Sequence, residues 1–313
     1  MNLHQFYFVR EAVRRSFNLT EAAKALATSQ PGVSKAIIEL EDELGVDIFR
    51  RHGKRVRSLT EPGRAILLSV EKILQEIDNI KRVGKEYAEQ DQGKLVLAAA
   101  QACTRYTLPS IVTEFKKKFP RVRLSIMPGT PTQVADRVNS EEADLGLITA
   151  AVTGYPELNL VPSAPWHYVA VMPSNHPLMA NELFTLEELA RYPLLIYDTG
   201  CTSSYAKLIQ TFELQSLTPE IALRATDADT IKTYLELGLG IGIVPNITVD
   251  AQLKSGTLRA LSLAHLFGSY MSYIVHKQGV YLRRYMTTLI EMLAAQHSEV
   301  EPMPNDEYST NAL

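Results

Sequence analysis

The sequence predicts an α/β protein with an N-terminal all-α, winged part, and three observations carry that prediction. Two short helix-forming runs broken by a turn stand near the start, and a long run of regularly spaced apolar residues follows them. The remainder alternates short apolar strands with amphipathic helices, the order that builds α/β layers. At 313 residues and 46% hydrophobic content the chain can hold two or three domains with ordinary cores. The opening "MNLHQFYFVREAVRR" mixes charges among its apolar residues and does not read as a secretory signal, and no apolar run approaches the roughly 18 residues of a membrane span. Two cysteines, Cys103 and Cys201, do not suggest a disulfide framework, so a reducing cytoplasm is the expected location.

The first element to justify is the helical pair in "NLTEAAKALATSQPGVSKAIIELEDELG". Thr20 is the expected N-cap of the first run, and Ala22 to Leu26 are strong helix formers. After the break at Thr28-Ser29-Gln30-Pro31, Pro31 suits the first turn of a new helix with Ser29 or Gln30 at its cap. Val33, Ile37, Leu40 and Leu44 then recur on one helix face, and Gly45 stops it. Two helices joined by a short turn describe a helix-turn-helix, whose second helix enters the DNA major groove by its N-terminal end. Thr28, Ser29, Gln30, Pro31, Ser34 and Lys35 are the candidate contacts there, with Gln and Lys suited to base edges and the hydroxyls to bases or phosphates.

The next stretch, "VDIFRRHGKRVRSLT", reads as two strands around a basic tip, a wing suited to phosphates through Arg50, Arg51 and Lys54. Residues 1 to 65 hold 11 Lys+Arg against 8 Asp+Glu, a net of +3 inside a chain of net charge -3, so the rest carries -6. Past the wing, Thr60-Glu61-Pro62-Gly63 opens a helix of about 28 residues. Its Ile66, Val70, Ile73, Ile77, Ile80 and Tyr87 follow a 4-3-4-3-7 spacing, the 3.5-residue seam of a coiled coil, and predict a homodimer through this helix.

Residues 18 to 63 resemble, over their whole length, the DNA-binding segment of LysR-type transcriptional regulators. That resemblance implies a winged helix-turn-helix over 1–60, a linker and dimerisation helix over 61–90, and an effector domain folded like a periplasmic binding protein. The effector domain is expected as two α/β subdomains, 91–165 with 268–297, and 166–267, followed by a disordered tail over 298–313. It also implies a homotetramer acting on double-stranded promoter DNA, with a small effector and no cofactor or metal.

In the body, "KLVLAAA", "VRLSIMPG" and "DLGLIT" alternate with helical segments in βαβαβ order, and a second alternation runs from "YVAVMPS" to "GIGIVP". Two such units with the chain crossing between them predict a cleft walled by helix N-termini near Thr104, Thr130, Thr202-Ser203 and Thr226, where an anion is favoured. Asp227 and Asp229 read as helix caps. A narrower resemblance, to the CysB/Cbl subgroup of sulfur-metabolism regulators, rests on "TRYTLP", "FPRVRL", "GTPTQVAD" and "DADTIKTYLELGLGIGIVP".

The chain departs from that subgroup where Thr-Thr-His-Thr-Gln is usual: it has Ala99, Ala100, Gln101, Ala102 and Cys103, and Ala150 replaces a glutamate after Thr149. Lost hydrogen-bonding groups, each worth about 0.5–1.5 kcal/mol, weaken a site for inorganic sulfate. The expected effector is therefore an organic, aromatic sulfonate, of the kind a toluenesulfonate-pathway regulator senses, held among residues 99–103, Thr130, Thr149, Cys201, Thr202, Ser203 and Thr226. The alternative is a sulfate- or acetylserine-responsive sulfur regulator.

An enzyme is not expected: there is no GxGxxG, P-loop, GxSxG or His-x-x-x-His, and "GLGIG" lies between a helix and a strand, the reverse of nucleotide-binding order. Cys103 and Cys201 leave a thiol redox sensor as a further alternative, with Arg105 the nearest cation to activate a thiol.

Overall fold

In the computed structural model, residues 1–53, 55–89, 91–180, 184–197, 203–249 and 256–297 are described. They divide into two units, Met1–Ala88 with Gly279–Tyr281, and Glu89–Gln278 with Leu282 onward.

The first unit is built from α1 (Leu3–Arg14), α2 (Leu19–Ala25), α3 (Gln30–Leu44), the antiparallel pair β1 (Phe49–His52) and β2 (Arg55–Leu59), and α4 (Glu61–Glu89). Asn18, not Thr20, caps α2: its carboxamide oxygen accepts from the N–H groups of Thr20 and Glu21 at 3.1 and 3.2 Å, satisfying two of the free donors at the helix start. Ser29 caps α3 with Pro31 in its first turn, and Gly45 ends it at φ 69°, in the left-handed region. Val33, Ile37 and Leu40 are buried as expected, but Leu44 is 39% exposed and Glu41 takes the inward position instead. The Glu41 carboxylate accepts from the N–H groups of Ile48 and Phe49 at 2.9 and 3.0 Å and meets Arg51 Nη2 at 2.6 Å, so a buried charge ties α3 to the wing.

One face of the long helix α4 is covered within its own unit. Val70 and Leu74 are buried in the same core as Phe6, Val9, Ile37 and Phe49, with Ile66 and Ile77 packed against it. Its start is fixed by Thr60, which bonds the carbonyls of Asp47 and Ile48 and accepts from Gly63 N–H at 2.9 Å. A Cβ at Gly63 would lie 2.0 Å from the Ile48 carbonyl oxygen, so only glycine lets α4 approach β1 this closely.

The second unit opens with β3 (Gly93–Ala100), α5 (Leu108–Lys118), β4 (Val122–Gly129), α6 (Pro131–Asn139) and β5 (Leu145–Ile148), with β3 parallel to both β4 and β5. It continues with β6 (Leu158–Pro173), α7 (Leu186–Leu189), β7 (Leu194–Tyr197), α8 (Ser203–Leu214), β8 (Ile221–Ala225), α9 (Ala228–Glu236), β9 (Ile241–Pro245), β10 (Leu258–Ser262) and β11 (Ser269–Lys277). Among the described residues the strand order is β4-β3-β5-β11-β6-β9-β7-β8, with β10 on β6.

The parallel βαβ pairings follow the expected alternation, but β6 and β11 pair antiparallel to each other and carry the chain between the two halves. β6 is one continuous strand of 16 residues, longer than the run "YVAVMPS" suggested, because its first part pairs with β11 and its last with β9 and β10. The last α-helix spans Arg284–Ala294, and its Tyr285, Met286, Leu289 and Leu293 close the core under β3.

Candidate functional site

In the first unit the expected DNA-contacting residues gather on one end of α3 and its approach. Thr28, Ser29, Pro31 and Lys35 are exposed, and Gln30 and Ser34 are partly so. Ser29 Oγ accepts from Gly32 N–H at 3.3 Å, so its hydroxyl is engaged in capping. Lys35 Nζ lies 3.7 Å from Glu39, an exposed pair that holds it weakly. On the wing Arg50 is exposed, whereas Arg51 is committed to Glu41. Lys54 lies outside the described residues.

In the second unit a cleft of about 300 Å³ opens where the halves meet. Ala100, Gln101, Ala102, Thr130, Thr149 and Thr226 line it, all six from the expected set. Ala99 and Cys103 do not. Both are buried among Leu95, Leu97, Leu108 and Leu147, because alternation along β3 turns Ala99 inward and the helical turn after it turns Cys103 to the same core. Cys201 and Thr202 lie outside the described residues, and of Ser203 only its place at the start of α8 is described.

Burial pushes the Cys103 thiol up to about 12, far from a reactive thiolate. The cation expected to activate it, Arg105, is instead paired with Asp229 at 2.7 Å. Asp229 is therefore no cap, although Asp227 is one: its carboxylate accepts from Thr230 N–H at 2.8 Å at the start of α9.

Three aromatic residues that sequence reasoning missed also line the cleft. Trp166, Tyr168 and Tyr197 are 3%, 2% and 8% exposed and line the cleft. Trp166 is stacked on Tyr270 with ring centroids 4.5 Å apart and stands edge-on to Tyr168 at 5.3 Å, while its indole N–H donates to the Thr149 carbonyl at 2.8 Å. The signal was present in "PWHYVAV", since residues two apart on a strand share a face. Burial pushes the Tyr197 phenol up, so it faces the cleft as a neutral donor.

Among the described lining residues none is charged. What the cleft offers an anion is the N-terminal end of the helical turn at Gln101, the start of α6, where Thr130 caps through Gln133 N–H at 3.3 Å, and the Thr226 step into α9. What it offers an apolar body is Ala100, Ala102 and the aromatic wall.

Comparison with known proteins agrees with this architecture. Residues 6–64 match the bacterial regulatory helix-turn-helix protein family, lysR type, and residues 88–298 match the LysR substrate binding domain. The chain is 58% identical over 294 residues to the HTH-type transcriptional regulator CysB of Burkholderia cenocepacia, covering 94% of this chain and 93% of the relative. It is 45% identical to the regulator SsuR of the same organism, covering 96% and 97%. The solved cofactor-binding domain of the Cbl transcriptional regulator superposes with a TM-score of 0.61 at 32% identity, covering 68% of this chain and 91% of that one. The chain therefore belongs to the LysR family of transcriptional regulators, within its CysB/Cbl-like, sulfur-related branch.

Proposed function

We propose that this regulator binds promoter DNA through α3 and the wing and responds to an aromatic sulfonate held in the cleft, controlling genes of sulfonate or sulfur use from the cytoplasm. The observation that carries the reading is the pairing of uncharged helix N-termini with an aromatic wall. Backbone N–H groups and the Thr149 and Thr226 hydroxyls suit a sulfonate head, and Trp166, Tyr168 and Tyr197 suit a ring beside it. A volume of about 300 Å³ is at the small end for organic ligands and larger than a bare oxyanion needs.

We place the dimer seam on a narrower face of α4 than the apolar spacing alone suggests. Ile66, Val70 and Ile77 serve the helix's own unit, whereas Ile73, Ile80 and Tyr87, at seven-residue intervals, are 39%, 72% and 80% exposed. These three form the face offered to a second copy, and a homotetramer is the expected assembly built on that dimer.

The test is thermal unfolding of the full chain with sulfate, acetylserine, taurine, benzenesulfonate and toluenesulfonate. A ligand at 100 times its Kd stabilises by about 2.7 kcal/mol. Shifts with the two arylsulfonates alone are expected. A shift with sulfate or acetylserine alone would replace this reading with a general sulfur-responsive regulator.

A further inference from the structure

The body contains a polar cluster that neither DNA contact nor the cleft lining uses. Between β3 and α5 the helix widens into a π turn over Cys103–Thr107, a form that concentrates at functional positions. The turn belongs to the first half, yet Arg105 and Tyr106 find their partners on α9 of the second. The Tyr106 hydroxyl donates to Asp229 Oδ1 at 2.5 Å and accepts from Lys232 Nζ at 2.9 Å. Lys232 also lies 3.0 Å from Asp229 Oδ1 and donates to the Thr248 carbonyl at 3.1 Å, and Arg105 Nε closes on Asp229 Oδ2 at 2.7 Å.

Lys232 is only 3% exposed, and a lysine is almost never buried to that degree without partners. Burial alone would lower its ammonium, but its bonds to Tyr106 and Asp229 hold it above the ordinary value. Burial would likewise raise the Asp229 carboxyl, and its hydrogen bonds with Tyr106 and Lys232 and the charges of Lys232 and Arg105 hold it below.

The cluster sits one step from the cleft on both sides. Ala102 and Thr226 line the cleft, four residues before Tyr106 and three before Asp229. Separating the halves would break the Tyr106 bonds together and strip buried Lys232 of a partner, so the contact resists partial opening.

We propose that Tyr106, Asp229 and Lys232 form a latch between the two halves, positioning residues that hold the cleft at the width where both walls reach one ligand. The latch itself stands independently of the effector reading; its influence on ligand affinity rests on that reading.

The test uses the full chain and Tyr106→Phe, which keeps the ring under Lys232 Nζ, 4.9 Å from its centroid, and removes both hydrogen bonds. In hydrogen–deuterium exchange without ligand, amides of residues 103–108 and 228–232 are expected to exchange about tenfold faster together, with α3 and β5 unchanged. Benzenesulfonate titrated by calorimetry is expected to bind the variant about tenfold more weakly, while Tm falls by only a few degrees. Asp229→Asn should reproduce both effects, and the double variant should be no worse than either single change, the signature of one shared unit. Arg105→Gln, at an exposed position, should speed exchange in the same two segments about twofold.

Unchanged exchange, exchange faster on one side only, or additive effects would overturn the latch. If benzenesulfonate fails to bind the wild type, the effector reading falls, and the exchange and additivity results still decide the latch.

Discussion

Glu41 in the first unit and Lys232 in the second are both almost fully buried charges, 4% and 3% exposed, but they recruit partners over different chain distances. Glu41 is met by Ile48, Phe49 and Arg51, all within ten residues, whereas Lys232, besides Asp229 three residues back and the Thr248 carbonyl, is met by Tyr106 from 126 residues away. A charge satisfied locally fixes the angle between neighbouring elements, here α3 and the wing. A charge satisfied at long range couples parts that could otherwise move, here the two halves of the effector body. The same expense of desolvation thus yields rigidity in one unit and a conditional contact in the other.

The sharpest way to break this contrast is to remove the local charge. Glu41→Ala leaves two backbone N–H groups and Arg51 without their acceptor, and should destabilise the first unit by about 3–5 kcal/mol in urea unfolding. A loss below about 1 kcal/mol would mean the carboxylate is not what holds the wing. Gly63→Ala probes the same junction without touching charge. Its Cβ must displace the Ile48 carbonyl, so a loss of about 1–3 kcal/mol is expected in the same assay, and a neutral result would show that α4 can shift freely against β1.

At the DNA face the contrast predicts different roles for two neighbouring arginines. Arg50, exposed, is the proposed phosphate contact: Arg50→Ala should weaken binding to operator and random DNA alike and reduce the log–log salt slope by about 0.9. Lys35→Ala should instead reduce discrimination between operator and random DNA by about 1–3 kcal/mol. Equal losses on both DNAs for Lys35→Ala would remove its base-reading role. Arg51→Ala should register first as lost stability, because its guanidinium is tied to Glu41.

The smallest expected effect concerns pH. Asp229 is held below its ordinary value, so the stability it contributes is complete above the unfolded value of about 3.9 and is lost as pH falls through the lower folded value. Lys232 is held above its ordinary value, so its share is complete below about 10.4 and is lost as pH rises through the folded value. The Tm gap between wild type and Asp229→Asn should therefore stay level from about pH 5 to 9 and narrow in acid. A gap that widens in acid would show that the carboxylate is not stabilised by its partners.

The helix-turn-helix was legible because its signals are local: Pro31 in a first turn, Gly45 at a helix end, and apolar residues at 3.6-residue spacing. Glu41 was not, since a carboxylate on an apolar face is readable as buried only when its donors, seven to ten residues on, are seen to converge. In the cleft, Ala100, Gln101, Ala102, Thr130, Thr149 and Thr226 were reachable from helix starts and strand ends. Trp166 and Tyr168 were hidden by the crossing strand β6, whose two ends serve different halves. Cys103 misled because a residue beside a cleft was taken to face it, when the turn of the helix decides the side. Asp229 misled for a related reason: its nearest helix start is capped by Asp227, which frees it for Tyr106 and Arg105.

The π turn at Cys103–Thr107 holds one residue more than an α-helix needs for the same span. Deleting any one of its residues would rephase the segment by about 100°. Leu108 and Phe115 could keep their seats in the core beyond it, while Arg105 and Tyr106 swung off the face that meets α9. Coupling between the halves is thus open to gain or loss through a single-codon insertion or deletion, an evolutionary route that a tally of substitutions between relatives would pass over.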